Sequence, residues 1–141
     1  MKRKPLSAAV ASLLAAAQRV AQESNAAAIV MLSESPYDFL EIRKKLRKVR
    51  LVVASDNPDV QRAATADEVD LVPLDSSSRT RQMQLSQALI EAIADEYLES
   101  GDTIVALYSG YVGDSIDSVS VFKVRVLLAR LSSGDLQRLE Y

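Results

Sequence analysis

The chain contains neither cysteine nor histidine. Without cysteine there is no disulfide framework, no thiol nucleophile and no zinc–thiolate site. Without histidine, the Ser-His-Asp arrangement and the usual imidazole acid–base pair are excluded. Any catalysis would fall to Asp, Glu, Lys, Tyr or backbone donors, so the chain by itself is read as non-catalytic, with no cofactor and no bound metal. No run of eighteen or more apolar residues occurs, so a membrane-spanning helix is not expected and the cytoplasm is the expected setting. A net charge of −2 supplies no global basic field towards nucleic acid or anionic membrane.

What is present suits one folded domain. The 141 residues, 48% hydrophobic and 26% charged, are enough for a single substantial core. The N-terminus, MKRK followed by PLSAAVASLLAAA, has the charge and apolar stretch of a signal peptide. A buried Ala-rich helix is the better reading. Leu6, Val10, Leu13, Leu14, Ala17 and Val20 keep helical spacing straight through the supposed cleavage point.

Helical and strand patterns then alternate. The first helix is expected over Pro5 to Glu23, with Pro5 in its first turn. Strands are expected at 26–32, 50–55, 69–74, 103–108 and about 119–126. Between them, Phe39, Ile42, Leu46 and Val49 mark a second helix, and Pro58 opens a short third one capped by Asp56 or Asn57. A long helix follows DSSSRTRQ and runs to about Ser100, with Gly101 placed to end it. Helices separate strands one to four, which predicts parallel crossovers. Only about ten residues join strands four and five, so strand five should be antiparallel at the edge. The predicted fold is a three-layer α/β sandwich with strand order 3-2-1-4-5. Residues 1–126 form the domain, and 127–141 begin a further helix or a linker to a domain beyond.

In such a sheet, ligands bind outside the carboxyl ends of the strands where strand order reverses. If strands two and three lie on one side of strand one, and four and five on the other, that point lies between strands one and four. Ser33, Glu34 and Ser35 would face it from one loop, and Ser109, Gly110, Tyr111, Val112 and Gly113 from the other. Glycines let backbone approach an anion, but a plain turn between two strands also uses Gly, Ser and Asp. A second candidate is the basic run 41–50, where Arg43, Lys44, Lys45, Arg47 and Lys48 would line the face of helix two opposite its apolar stripe. It could meet phosphates of nucleic acid; with no interleaved aromatics, a solvated face is the expectation. Arg79 and Arg81 are likewise expected to be solvated. Asp56, Asp75, Asp114 and Asp117 have the chemistry of a magnesium site, but capping is the expected role of Asp56 and Asp75. Tyr37 and Phe39 are expected to pack on the sheet.

Three stretches, AVASLLAAAQRVAQESNAAAIVMLSES, RLVVASDNPDVQRAATADEVDLVPL and ESGDTIVALYSGYVGDSIDSVSVFKVRV, together resemble the C-terminal α/β domain of pyruvate kinase over residues 6–126. The resemblance implies a non-catalytic regulatory domain with an effector site at the loops after strands one and four. Ser33 and Ser35 match the hydroxyl positions of that family's phosphate loop. Glu34 and Pro36 depart from it, adding a negative charge and removing an N–H. A cation, a neutral ligand or an adenine-type ring stacked on Tyr111 would suit these residues better than a sugar phosphate. The tail, VRVLLARLSSGDLQRLE, resembles the segment leading into the cyclase domain of bacterial diadenylate cyclase (DNA-integrity-scanning) proteins.

The expected function is a regulatory or ligand-sensing domain of a larger bacterial protein, acting through population shift. Its effector would be a nucleotide or sugar phosphate, and a homodimer is expected. The competing readings are a self-association module using edge strand five, and nucleic-acid binding through helix two.

Overall fold

The computed structural model describes residues 2–75, 80–111, 113 and 115–130. Its centre is β1 (Ala28–Leu32), whose five residues are all buried. An unbroken apolar strand of this kind must be covered on both faces. β2 (Arg50–Ser55) and β4 (Thr103–Tyr108) flank it in parallel, β3 (Asp70–Pro73) lies outside β2, and β5 (Ser118–Lys123) pairs antiparallel with β4. The order is β3-β2-β1-β4-β5, as expected, and the strand directions are those that the connection lengths predict.

Side-chain alternation divides the core in two. Ile29, Met31, Leu51, Val53, Val105 and Leu107 face α1 (Ala8–Glu23), α2 (Phe39–Lys45) and α3 (Pro58–Ala66). Val30, Val52, Ala54, Ile104 and Ala106 face α4 (Arg81–Ala94) and the helical segment 124–130. The molecule is a three-layer sandwich. Among the described residues no helix is long and apolar enough to cross a membrane.

Several boundaries differ from expectation for local reasons. α1 starts at Ala8, because the Ser7 hydroxyl accepts from the Val10 amide at 3.1 Å. Pro5 lies before it in extended chain, where Lys4 forms an isolated bridge with Tyr37. α4 stops at Ala94 rather than near Ser100, and Gly101 does not end it. There Glu96 takes φ 65°, Tyr97 N–H reaches the Ala92 carbonyl, and Glu96 N–H reaches that of Ile93. The same Schellman pattern closes α1 at Asn25 (φ 54°) and α3 at Glu68 (φ 56°). β5 ends at Lys123, not near Val126. Val124, Leu127 and Leu128 instead take helical spacing and pack on the α4 face, where burial outweighs the strand preference of the valines. The remainder of the predicted tail, 131–141, lies outside the described residues.

The N-terminal segment is tied down by a buried-side ion pair. Arg3 donates through Nη1 and Nη2 to both Asp67 oxygens, at 2.7 and 3.0 Å, and also to the Tyr37 carbonyl. Asp67 in turn accepts from the Phe39 amide at 2.9 Å and the Leu40 amide at 3.3 Å, capping α2 from another helix end. The hydrogen bond from Arg3 holds the Asp67 carboxyl below its usual range, against the opposing effect of burial.

Candidate functional site at the carboxyl ends of strands one and four

Three buried polar residues occur in the described core, Ser33, Ser55 and Ser109, and all are serines just inside or just beyond strand ends. β1 pairs Leu32 with Ala54, and Met31 with Leu107. Continuing those offsets sets Ser33 opposite Ser55 on one side and Ser109 on the other. Alternation turns all three side chains towards the α1–α3 face. Ser33 Oγ donates to the Ser35 carbonyl at 2.7 Å, and Ser55 Oγ accepts from the Asn57 amide at 3.0 Å. Ser109 is 5% exposed, and its hydroxyl has no hydrogen-bond partner among the described residues. A buried hydroxyl left so costs roughly 1–3 kcal/mol.

The two loops meet through Arg81, in the first turn of α4. Its Nε donates to the Ser109 carbonyl at 2.7 Å, and its Nη2 pairs with the Glu34 carboxylate. Gln84, one turn along, accepts from Nη1 at 2.8 Å. Arg81 was expected to be solvated; it is instead a clamp across the strand-order reversal. The sequence hides this because the partners are separated by 47 and 28 residues and the guanidinium reaches them only once β1 and β4 are neighbours. Asn57, cap of α3, adds a donor to the Glu34 carbonyl at 3.0 Å. Tyr37, 1% exposed, accepts from the Ile116 amide at 3.5 Å and so links the β1 loop to the β4–β5 loop a second time. Its ring meets Phe39 edge-on at 6.4 Å, and both pack on the sheet as expected.

Asp117 organises the β4–β5 loop. Its carboxylate accepts from the Gly110 amide at 2.7 Å and the Tyr111 amide at 2.9 Å, and from Ser118 Oγ at 2.7 Å. A Cβ at Gly110 would come within 2.8 Å of Ser118 Oγ, so a side chain there would force that hydroxyl to shift. The amides that could cradle an external anion are therefore already paired with an internal one. Glu34 plays the same part towards Arg81. Beneath these groups, Ser33, Glu34, Ser55, Asp56, Arg81 and Gln84 border a cavity of about 10 Å³, room for one water.

The predicted residues divide accordingly. Ser33, Glu34, Ser35, Ser109 and Gly110 gather at the carboxyl ends of β1 and β4. Tyr111 projects outward, 95% exposed, and Gly113 is exposed beside it. Val112, Asp114 and Arg79 lie outside the described residues. Among the described residues no three carboxylates gather into a cation site. The caps of α3 and α4 are Asn57 and Thr80, rather than Asp56 and Asp75.

The basic run is reorganised. α2 ends at Lys45, so Arg47 and Lys48 leave the helix face on which they were expected. Arg43, Arg47 and Lys48 instead converge with Arg50, from the start of β2, around a concavity of about 340 Å³. Lys44 and Lys45 are exposed and lie apart from it.

Comparison with solved structures agrees with this architecture. A pyruvate kinase from Cryptosporidium parvum superposes with a TM-score of 0.66 at 21% identity, covering 86% of this chain and 23% of that one. A second structure, Cryptosporidium parvum pyruvate kinase in complex with ADP, gives 0.66 at 20%, covering 87% and 25%. The chain thus spans about a quarter of the length of those enzymes, and the likeness is one of fold, that of their C-terminal domain. None of the curated proteins matches the chain. The family model described as "Probable sensor domain DacZ_P" matches residues 9–132, which takes in both loops, Arg81 and every strand. The chain belongs to the DacZ_P family of probable sensor domains.

Proposed function

We propose that the domain reads a small effector at the β1 and β4 loops and passes its occupancy to a diadenylate cyclase domain of the same, larger protein. The sensor family supports the regulatory role, and the tail's resemblance to the segment before a cyclase domain supports the partner. The observation that carries the site is the Arg81 clamp over Ser109, whose buried hydroxyl awaits a partner.

The chemistry favours a nucleotide over a sugar phosphate. Asp117 already occupies the loop amides, and Glu34 already neutralises Arg81. A phosphate alone would have to displace one carboxylate and be repelled by the other. A nucleotide gains stacking on the exposed Tyr111 ring and a hydrogen bond with Ser109, while its phosphate competes with Glu34 for Arg81. Exchange of Glu34 for the ligand would release the β1 loop, and with it Tyr37 and the N-terminal segment. This is a population shift between clamped and released loops.

Thermal unfolding against a panel of nucleosides, nucleotides and sugar phosphates tests the reading. A binder at one hundred times its Kd stabilises the fold by about 2.7 kcal/mol. Ser109→Tyr, which fills the site, should abolish that gain. A panel with no response leaves the reading without support.

A second reading rests on β5. Its outer edge pairs with no other strand among the described residues, and Val121 on it is 45% exposed. Antiparallel pairing of two copies through this edge would give a homodimer. Sedimentation of wild type and Val121→Lys distinguishes the two, since a dimer made this way dissociates on that substitution.

A further inference from the structure

At the amino ends of β2 and β3, opposite the loops just described, four cations surround the 340 Å³ concavity: Arg43, Arg47, Lys48 and Arg50. Among the described residues Asp70 is the one carboxylate lining it, in a chain whose net charge is −2. Two of the guanidiniums are fixed before any ligand arrives. Arg43 donates to the Glu68 carbonyl at 2.6 Å, a carbonyl presented by the left-handed turn that ends α3. Arg50 lies 5.5 Å from the centre of the Tyr97 ring, donates to the Tyr97 carbonyl at 3.4 Å, and pairs with Asp70 at 3.4 Å. Arg47 and Lys48 are exposed and pair with no carboxylate among the described residues. Placing four like charges about one hollow is unfavourable in isolation and favourable once an anion enters.

We infer that this basic hollow is a binding site for a small, multiply charged phosphate compound. The preset guanidiniums offer forked donors to phosphate oxygens, and Arg47 and Lys48 supply mobile charge at the rim. The volume lies within the range of small-molecule sites. The cations converge on one hollow instead of following a stripe, the aromatic beside them, Tyr97, is half-buried and already engaged by Arg50, and the chain is acidic overall. These features favour a compact ligand over a nucleic-acid strand. The site is separate from the β1 and β4 loops and does not depend on the function proposed for them.

Calorimetric titration of the whole chain with inorganic triphosphate, ATP, adenosine and a twenty-nucleotide single strand provides the test. Triphosphate should bind, more weakly as salt rises. The double variant Arg47→Glu, Lys48→Glu, both exposed and off the core, should weaken it by roughly tenfold or more. Arg81→Met should leave triphosphate binding unchanged, which separates this site from the loops. In the Arg81→Met chain, ATP tighter than triphosphate, by a margin that the double variant removes, assigns the hollow to a nucleotide; equal affinities assign it to a phosphate chain. Adenosine should not compete with triphosphate. The inference is overturned by absent triphosphate binding, by binding that the double variant leaves intact, or by a single strand that binds more tightly than triphosphate.

Discussion

Arg81 donates from Nε to the carbonyl oxygen of Ser109 at 2.7 Å, while the same guanidinium holds the carboxylate of Glu34. One side chain thus fastens the loops that follow two neighbouring parallel strands. Arg81→Met should cost about 1–2 kcal/mol, the lower range for a charged hydrogen bond to backbone plus a half-exposed ion pair. Glu34→Gln should cost less than about 1 kcal/mol, because the ion pair is partly screened by solvent. Urea denaturation of the two variants checks both the sizes and their order.

Ser109 and Ser33 should respond oppositely to loss of their hydroxyls. Ser109→Ala removes an unpartnered buried group and should be neutral or stabilising by up to about 1 kcal/mol. Ser33→Ala breaks the bond to the Ser35 carbonyl and should destabilise by about 1 kcal/mol. In effector titrations only the first should also abolish the thermal response. Equal destabilisation by both would mean that Ser109 has a partner in the free protein.

The Arg3–Asp67 pair predicts a dependence on acid. The Asp67 carboxyl is held low chiefly by the hydrogen bond from Arg3, so its ionised form is preferred in the folded state. Its contribution is complete above the unfolded value near 4 and fades as pH falls through the lower folded value. Asp67→Asn should therefore be less stable than wild type by about 1–3 kcal/mol at pH 6, with the gap narrowing below pH 4. Denaturation curves at several pH values measure it, and a gap that widens in acid would contradict the assignment.

Glu96 occupies the left-handed position that closes α4, where a side chain is costly. Glu96→Gly should stabilise by about 0.5–1 kcal/mol, less than the full steric gain because glycine loosens the unfolded chain. A raised midpoint in thermal unfolding is the expected result. A lowered one would show that the Glu96 side chain makes a contact worth more than the backbone strain.

The strand directions were legible in the sequence because they rest on simple quantities, and the order came with the resemblance. Four apolar runs are spaced by helices, and one connection is too short to hold a helix. The chain reversals were less legible. Asn25, Glu68 and Glu96 close helices without glycine, so no residue announces the stop. The signal is the apolar residue that follows each, Ala26, Val69 or Tyr97, which folds back over the last turn. The site was legible in part. Ser33 and Ser109 follow from strand ends, whereas Arg81, Asn57 and the Arg50 corner of the basic hollow act across distances that only the assembled sheet sets. The acidic character of Glu34 and Asp117 was visible from the start, but not that each already has its cation or its amides.

The claim that the two loops work as one unit is tested most directly by amide hydrogen exchange in wild type and Arg81→Met. If Arg81 joins them, residues 33–35 and 109–111 lose protection together while the centre of β1 keeps it. Faster exchange at 33–35 with no change at 109–111, or the converse, would mean that the loops move separately and that no shared site exists between them.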